Sequence, residues 1–327
     1  MRVIISRTDR AGDLILTTPV FREIRKNFPK AHVIAHVRKY TAPVLKLCPW
    51  VDEVIIDEDY PAMLSLTKKF IDCQVERIIV VHPAARVLQA AFLARIPSRT
   101  GRASNIWQFL LNDRRVQKRS RNEMHEYRYN LQLLEGIVEQ IDDSPPELSI
   151  KQETLQIARK LIEQESLLKP VLIHPGHGGS AYNLSPAQYA QIAENLVAAG
   201  IQVAVSLGPG EEHLAEHFAA KPGLAFIKNV PDLEILAGVI RECAAFIGGS
   251  TGPMHLAAAL DLPVLAFFPP VRAMTPKRWG PVCEKKLVLL PEADHCFGKC
   301  QNCPIRPCMK NIDLHLAENW IKEQINS

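Results

Sequence analysis

The segment Arg7-Thr8-Asp9-Arg10-Ala11-Gly12-Asp13 follows a short apolar run and sets a carboxylate beside a glycine. Glycine lets a ligand approach the backbone closely, and a carboxylate facing that ligand can take the proton of an attacking hydroxyl. Asp13 also suits a plainer role, as an N-cap or first-turn acid that steadies a helix. The segment stands where a nucleotide fingerprint would be but lacks G-x-G-x-x-G, which argues against a dinucleotide site.

A second segment runs His174-Pro175-Gly176-His177-Gly178-Gly179-Ser180-Ala181-Tyr182-Asn183-Leu184-Ser185-Pro186. Its glycines and Ser180 give an adaptable backbone whose N–H groups can wrap an anion, and the helix opened by Ser185-Pro186 adds its dipole. A flexible crossover loop is the competing reading. The third segment, Ile247-Gly248-Gly249-Ser250-Thr251-Gly252-Pro253-Met254-His255, reads as strand, glycine-rich turn and helix. Ser250 and Thr251 can cap that helix, Pro253 suits its first turn, and His255 can reach a diphosphate at its end. Two anion-shaped turns in one half of the chain strengthen each other.

Two further clusters stand out. Cys296-Phe297-Gly298-Lys299-Cys300-Gln301-Asn302-Cys303-Pro304-Ile305-Arg306-Pro307-Cys308 gathers four of the eight cysteines beside His295. Cys296, Cys300, Cys303 and Cys308 can close on a structural zinc, which would leave no open position for catalysis; a cysteine-rich loop without metal fits the uneven spacing as well. Between residues 86 and 121 stand nine basic residues and one acid, Asp113, densest from Arg114-Arg115 to Arg121. This is either a solvated charge run or a surface for an anionic acceptor or an anionic leaflet. The acceptor reading nominates Arg114 and Arg115, together with Arg10 and Gly12 of the first loop. His125-Glu126 opens the next helix, as a cap or as an acceptor contact.

The elements that must position these loops alternate between short β-rich runs and helical repeats, the pattern of parallel βα units. In the first half, strands are expected at 3–6, 32–37, 53–56 and 77–81, with helices over 14–28 and 123–140. In the second, strands at 170–174, 202–207, 224–227, 245–247 and 263–267 alternate with helices over 153–165, 186–199, 211–219, 232–243 and 253–260. A last helix covers 314–325. The domains expected are 1–150, 151–310 and a C-terminal helix within 311–327. Two α/β units imply a two-lobed molecule with the informative loops at a cleft.

A net charge of +4 gives no case for nucleic-acid binding, and the excess lies wholly in the first half. No stretch is long and apolar enough for a signal h-region or a membrane span, so a cytoplasmic location is expected.

The three loops, by order and spacing, resemble the signature regions of glycosyltransferase family 9, the lipopolysaccharide heptosyltransferases, and the resemblance covers nearly the whole chain. It implies the GT-B fold, two Rossmann-like domains with parallel sheets facing a cleft, the first for acceptor and the second for donor. It implies inverting transfer of heptose from ADP-heptose to a lipopolysaccharide-core or related glycolipid acceptor, with no catalytic metal. By position, Asp13 falls on the catalytic base. Gly176, Gly178, Gly179 and Ser180 fall on one donor loop, and Ser250, Thr251, Gly252 and His255 on the other. Glu211 or Glu212 falls near the nucleoside, and the C-terminal helix is expected to pack back on the first domain. Peripheral attachment to the inner membrane face goes with such an acceptor. Two departures bear on the donor: Tyr182 stands where many members have Lys, and Ser250 where the best-known pattern has Asp. A relative using another nucleotide sugar, or a nucleotide-sugar-binding protein without turnover, are the alternatives.

Overall fold

The computed structural model describes residues 1–178, 182–292, 296 and 308–326. The chain divides into two compact units, Met1–Ser149 and Ile150–Ser327.

In the first unit β1 (Arg2–Arg7) is followed by α1 (Ala11–Ile15), α2 (Thr18–Asn27), β2 (His32–Val37), β3 (Glu53–Ile56), α3 (Met63–Asp72), β4 (Arg77–Val80), α4 (Ala85–Leu93), β5 (Ser98–Arg102), β6 (Asp113–Arg115) and α5 (Glu126–Leu131). The strands form one parallel sheet in the order β3-β2-β1-β4-β5-β6. Val3, Ile4 and Ile5 of β1 are fully buried, as expected for a central strand covered on both faces. On one face Leu66 and Phe70 of α3 and Val87 and Leu88 of α4 pack with Ile4, Ile34 and Ile78.

The helix expected over 14–28 is two helices, broken at Leu16-Thr17. Pro19 has no N–H for the carbonyl of Ile15, and the Thr18 hydroxyl donates to that carbonyl instead, at 2.8 Å. The helix expected over 123–140 is also shorter, because a 3₁₀ turn (Gln132–Leu134) and Gly136 at φ +73° end it early. Asp57-Glu58-Asp59 is a 3₁₀ turn after β3, with Asp57 paired to Arg86.

The second unit begins with α6 (Gln152–Gln164) and continues β7 (Val171–His174), α7 (Pro186–Ala198), β8 (Val203–Val205), β9 (Leu224–Phe226), α8 (Leu233–Arg241), β10 (Ala245–Gly249), α9 (Gly252–Ala259), β11 (Val264–Phe267), α10 (Pro276–Trp279), β12 (Lys286–Leu289) and α11 (Leu314–Asn326). Its parallel sheet runs β12-β11-β10-β7-β8-β9. Counted from each unit's own first strand, both sheets have the order third, second, first, fourth, fifth, sixth. The expected helix over 211–219 is a 3₁₀ turn, Glu212–His217. The C-terminal helix, expected on the first domain, has Ala317 and Ile321 fully buried in the second unit's own core with Tyr189 and Phe267. Asn195 of α7 also donates to its Glu318, at 2.7 Å.

Candidate active site

In a doubly wound sheet the ligand crevice lies beyond the carboxyl ends of the strands, where the strand order reverses. In the first unit that point falls between β1 and β4, where Arg7 ends β1, Asp9 follows in the loop and Asp13 lies in the first turn of α1. The Arg7 side chain is buried, and its guanidinium pairs with Asp13 and with Asp9, the latter at 2.7 Å. It also donates to Asn130, at 3.5 Å, and lies 3.9 Å from Glu126 on α5. Burial opposes its charge, but Asp13, Asp9 and Glu126 raise its proton affinity above that of an ordinary arginine. From the β4 side, His82 approaches Asp9 to 3.3 Å. Burial alone would raise the Asp9 carboxyl, and Arg7 and His82 hold it below the usual range instead.

Asp13 behaves differently. Burial pushes its carboxyl up to about 6 against the pull of Arg7, with repulsion from Asp9 and Glu126 adding to the rise. The N-cap of α1 is Arg10, whose side chain makes no capping hydrogen bond, and Asp13 lies one turn in. Asp13 is thus a first-turn acid by position, while its carboxyl faces Arg7 in a network of ionisable groups. A carboxylate of raised proton affinity, only partly shielded from solvent, is suited to accept a proton near neutral pH.

Gly12 is buried beside Asp13 and Arg10 is exposed. The structure does not bring Arg114 and Arg115 to this loop. They lie on β6, at the sheet edge, with β4 and β5 between them and β1. Arg114 is exposed, whereas Arg115 is held by Asp113 and the Glu135 carbonyl. The cation of the basic run that joins the network is Arg119, buried against Glu126 and stacked 5.5 Å from the Tyr129 ring. Sequence reasoning overlooked Arg7, His82 and Asn130 as site residues, read Glu126 only as a cap or acceptor contact, and took Arg119 only as part of the basic run. The available signal was the acid-base alternation of Arg7-Thr8-Asp9-Arg10 immediately after a buried strand. His125 is the α5 N-cap, its Nδ1 accepting from the Tyr127 N–H at 3.4 Å.

In the second unit the reversal lies between β7 and β10, where both glycine-rich loops emerge. Glu211 ties the first of them. Its carboxylate accepts from the N–H of Gly178 at 3.0 Å and of Gly208 at 2.8 Å, near His174 at 4.0 Å. Burial would raise this carboxyl, but the Gly178 and Gly208 N–H groups and His174 hold it low. Burial in turn lowers His174, whose Nδ1 meets the Ser206 hydroxyl at 3.0 Å. A Cβ at 176 would lie 1.8 Å from the Glu211 carboxylate, so any larger residue there must displace it. Of the two candidates for the nucleoside, Glu211 is built into the loop, and Glu212 is exposed with Oε1 3.3 Å from the Gly210 N–H.

The helix ends differ. Ser185 closes the first turn of α7 in a capping box with Gln188. At α9 the N-cap Thr251 makes no such bond, its hydroxyl donating to the Gly249 carbonyl at 3.4 Å. The α9 end is therefore the better anion site of the two. Thr251 and His255 are buried there, with Ser250 and Gly252 partly exposed. Asn183 secures the loop behind it, donating to the Pro175 carbonyl at 3.3 Å and accepting from the Tyr189 hydroxyl at 2.6 Å. Gly179 and Ser180 lie outside the described residues, as do Cys300 and Cys303. Cys296 is exposed and Cys308 half-buried.

The family model of glycosyltransferase family 9 (heptosyltransferase) matches residues 63–305. The chain belongs to this family. A Haemophilus influenzae protein with a provisional name as a glycosyltransferase is 30% identical over 89% of this chain and 90% of its own. Lipopolysaccharide heptosyltransferase 2 of Salmonella typhimurium is 26% identical over 83% of each chain. Among solved structures, Escherichia coli ADP-heptose lipopolysaccharide heptosyltransferase II superposes with a TM-score of 0.82 at 21% identity, over 100% of this chain and 99% of that one. A family 9 glycosyltransferase from Veillonella parvula gives 0.83 at 22%, over 98% and 97%. The fold is GT-B, and the chain is a glycosyltransferase of heptosyltransferase type. The family match begins beyond the Asp13 loop, so the case for Asp13 rests on its geometry.

Proposed function

We propose that this enzyme transfers a sugar, heptose from ADP-heptose, to a lipopolysaccharide-core or related glycolipid acceptor on the cytoplasmic face of the membrane, with inversion and without a metal. The observation that carries the reading is the half-buried Asp13, its proton affinity raised to about 6 and its position fixed by Arg7 at the reversal point of the first sheet. Asp13 removes the proton of the acceptor hydroxyl as that oxygen attacks the anomeric carbon. The bond from that carbon to the diphosphate breaks, and ADP leaves with the electron pair. The open end of α9 and the backbone N–H groups of the β7 loop offset the charge that grows on the diphosphate. His255, buried one turn into α9, serves the same charge.

Tyr182 supports a second reading, in which the donor is another nucleotide sugar. A phenol does not supply the positive charge that Lys gives a phosphate at this place. Thermal shift with ADP, UDP, GDP and CMP separates the two, because a ligand that binds the native state raises its melting temperature. Selective stabilisation by ADP supports the heptosyl reading, and preference for UDP or GDP replaces heptose with another sugar. No response to any of the four would leave a family member without donor binding.

A further inference from the structure

The carboxyl-terminal end of α4 and the 3₁₀ helix Ile106–Leu110 pack together on one face of the first unit and leave large apolar side chains in solvent. Ile106 is 77% exposed and Phe109 58%, while Phe92 and Leu93 at the end of α4 are each nearly half exposed. The inward sides of the same elements are well buried, through Val87, Leu88 and Leu110. The outward residues are therefore not needed for the core, and a surface of this kind calls for a partner.

The charged residues woven through the patch are cationic. Arg99 joins the two elements, donating to the Leu110 carbonyl at 2.8 Å while its guanidinium lies 5.5 Å over the Phe92 ring. Arg95, just beyond α4, and Arg114, 3.4 Å from the Leu111 carbonyl, are exposed beside it. The one acid between residues 86 and 121, Asp113, is held by Arg115 and by the Thr100 hydroxyl. Protruding apolar side chains ringed by arginines match the headgroup region of an anionic bilayer, where the apolar groups reach the acyl boundary and the cations meet phosphates. No helix among the described residues is long and apolar enough to cross a membrane, so such contact would lie along the surface.

We infer that this patch is a membrane-docking surface for an anionic leaflet. The inference extends the reading of a lipid-borne acceptor but stands apart from it, since docking needs neither donor nor acceptor. The test is co-sedimentation of the purified full chain with vesicles of phosphatidylcholine alone and with roughly one-third phosphatidylglycerol. Binding is expected only to the anionic vesicles, and it should weaken as salt is raised. The pair Ile106→Ser with Phe109→Ser, and separately Arg95→Glu with Arg114→Glu, should each lower vesicle affinity about tenfold or more. Both pairs alter exposed side chains, and an unchanged melting temperature confirms that each has folded. Trp107 lies between the two apolar residues, its ring 6.2 Å from that of Phe109. Its emission should shift to the blue on anionic vesicles, and Trp107→Phe should remove the shift. Absence of binding, or equal binding by the folded variants, overturns the inference. So does a concentration-dependent dimer that the apolar pair abolishes while vesicle binding is absent, which would assign the surface to a second copy of the chain.

Discussion

Asp13 is held in a state that favours chemistry over stability. Its folded carboxyl titrates at about 6 against an ordinary 3.8, so between those values the folded protein holds a proton that the unfolded chain has lost. Stability contributed by this group therefore falls as pH rises through that window, and above it the ionised form costs about 2–3 kcal/mol. Asn cannot ionise and is close in shape. Asp13→Asn is expected to melt at a higher temperature than the parent at pH 8, with the difference vanishing near pH 4. Turnover should fall by about 10²- to 10⁴-fold while nucleotide affinity is kept, because a base acts in the transition state. The parent's kcat/KM should rise with pH through about 6 and then level. A flat profile, or full activity in Asp13→Asn, would remove Asp13 from the proton transfer.

The glycine-rich loops were legible at the scale of elements, and their internal ties were not. Glycine, serine and proline at the ends of apolar runs marked strand-turn-helix units, which is why the strands from Val171–His174 to Val264–Phe267 fall close to where the repeat put them. Strands β5 and β6 went unseen because Arg99, Arg102, Arg114 and Arg115 mask the two-residue period, and the edge position of β6 lets its Arg114 reach water. The grip of Glu211 on Gly178 was also hidden, since it joins residues 33 positions apart through a backbone N–H that any sequence would supply. Alanine at 176 drives this carboxylate out, and alanine at 211 removes it. Each change alone should weaken nucleotide binding about tenfold or more, by releasing the Gly178 and Gly208 N–H groups and leaving the loop unfixed. In Glu211→Ala, adding Gly176→Ala should cost little more, a non-additive cycle readable by calorimetry. Additive losses would mean that the two residues act separately.

Over the whole molecule the chemistry is divided between two sheets. The Arg7–Asp9–Asp13 network hangs on β1 and β4, and the two glycine-rich loops hang on β7 and β10. ADP binding, on the proposed reading, should slow hydrogen exchange in Val171–Gly178 and Ala245–His255 and leave Arg2–Asp13 at its free rate. Protection concentrated in Arg2–Asp13 instead would reverse the assignment of donor and acceptor halves. The shared strand order has a genetic meaning as well. A crossover in the gene between codons 149 and 150 would cut no strand pair in either sheet. It would exchange all the loops of one kind at a stroke and leave the others as they were. On the proposed reading, a lineage built this way can trade donors by recombination while its proton-transfer machinery is inherited intact.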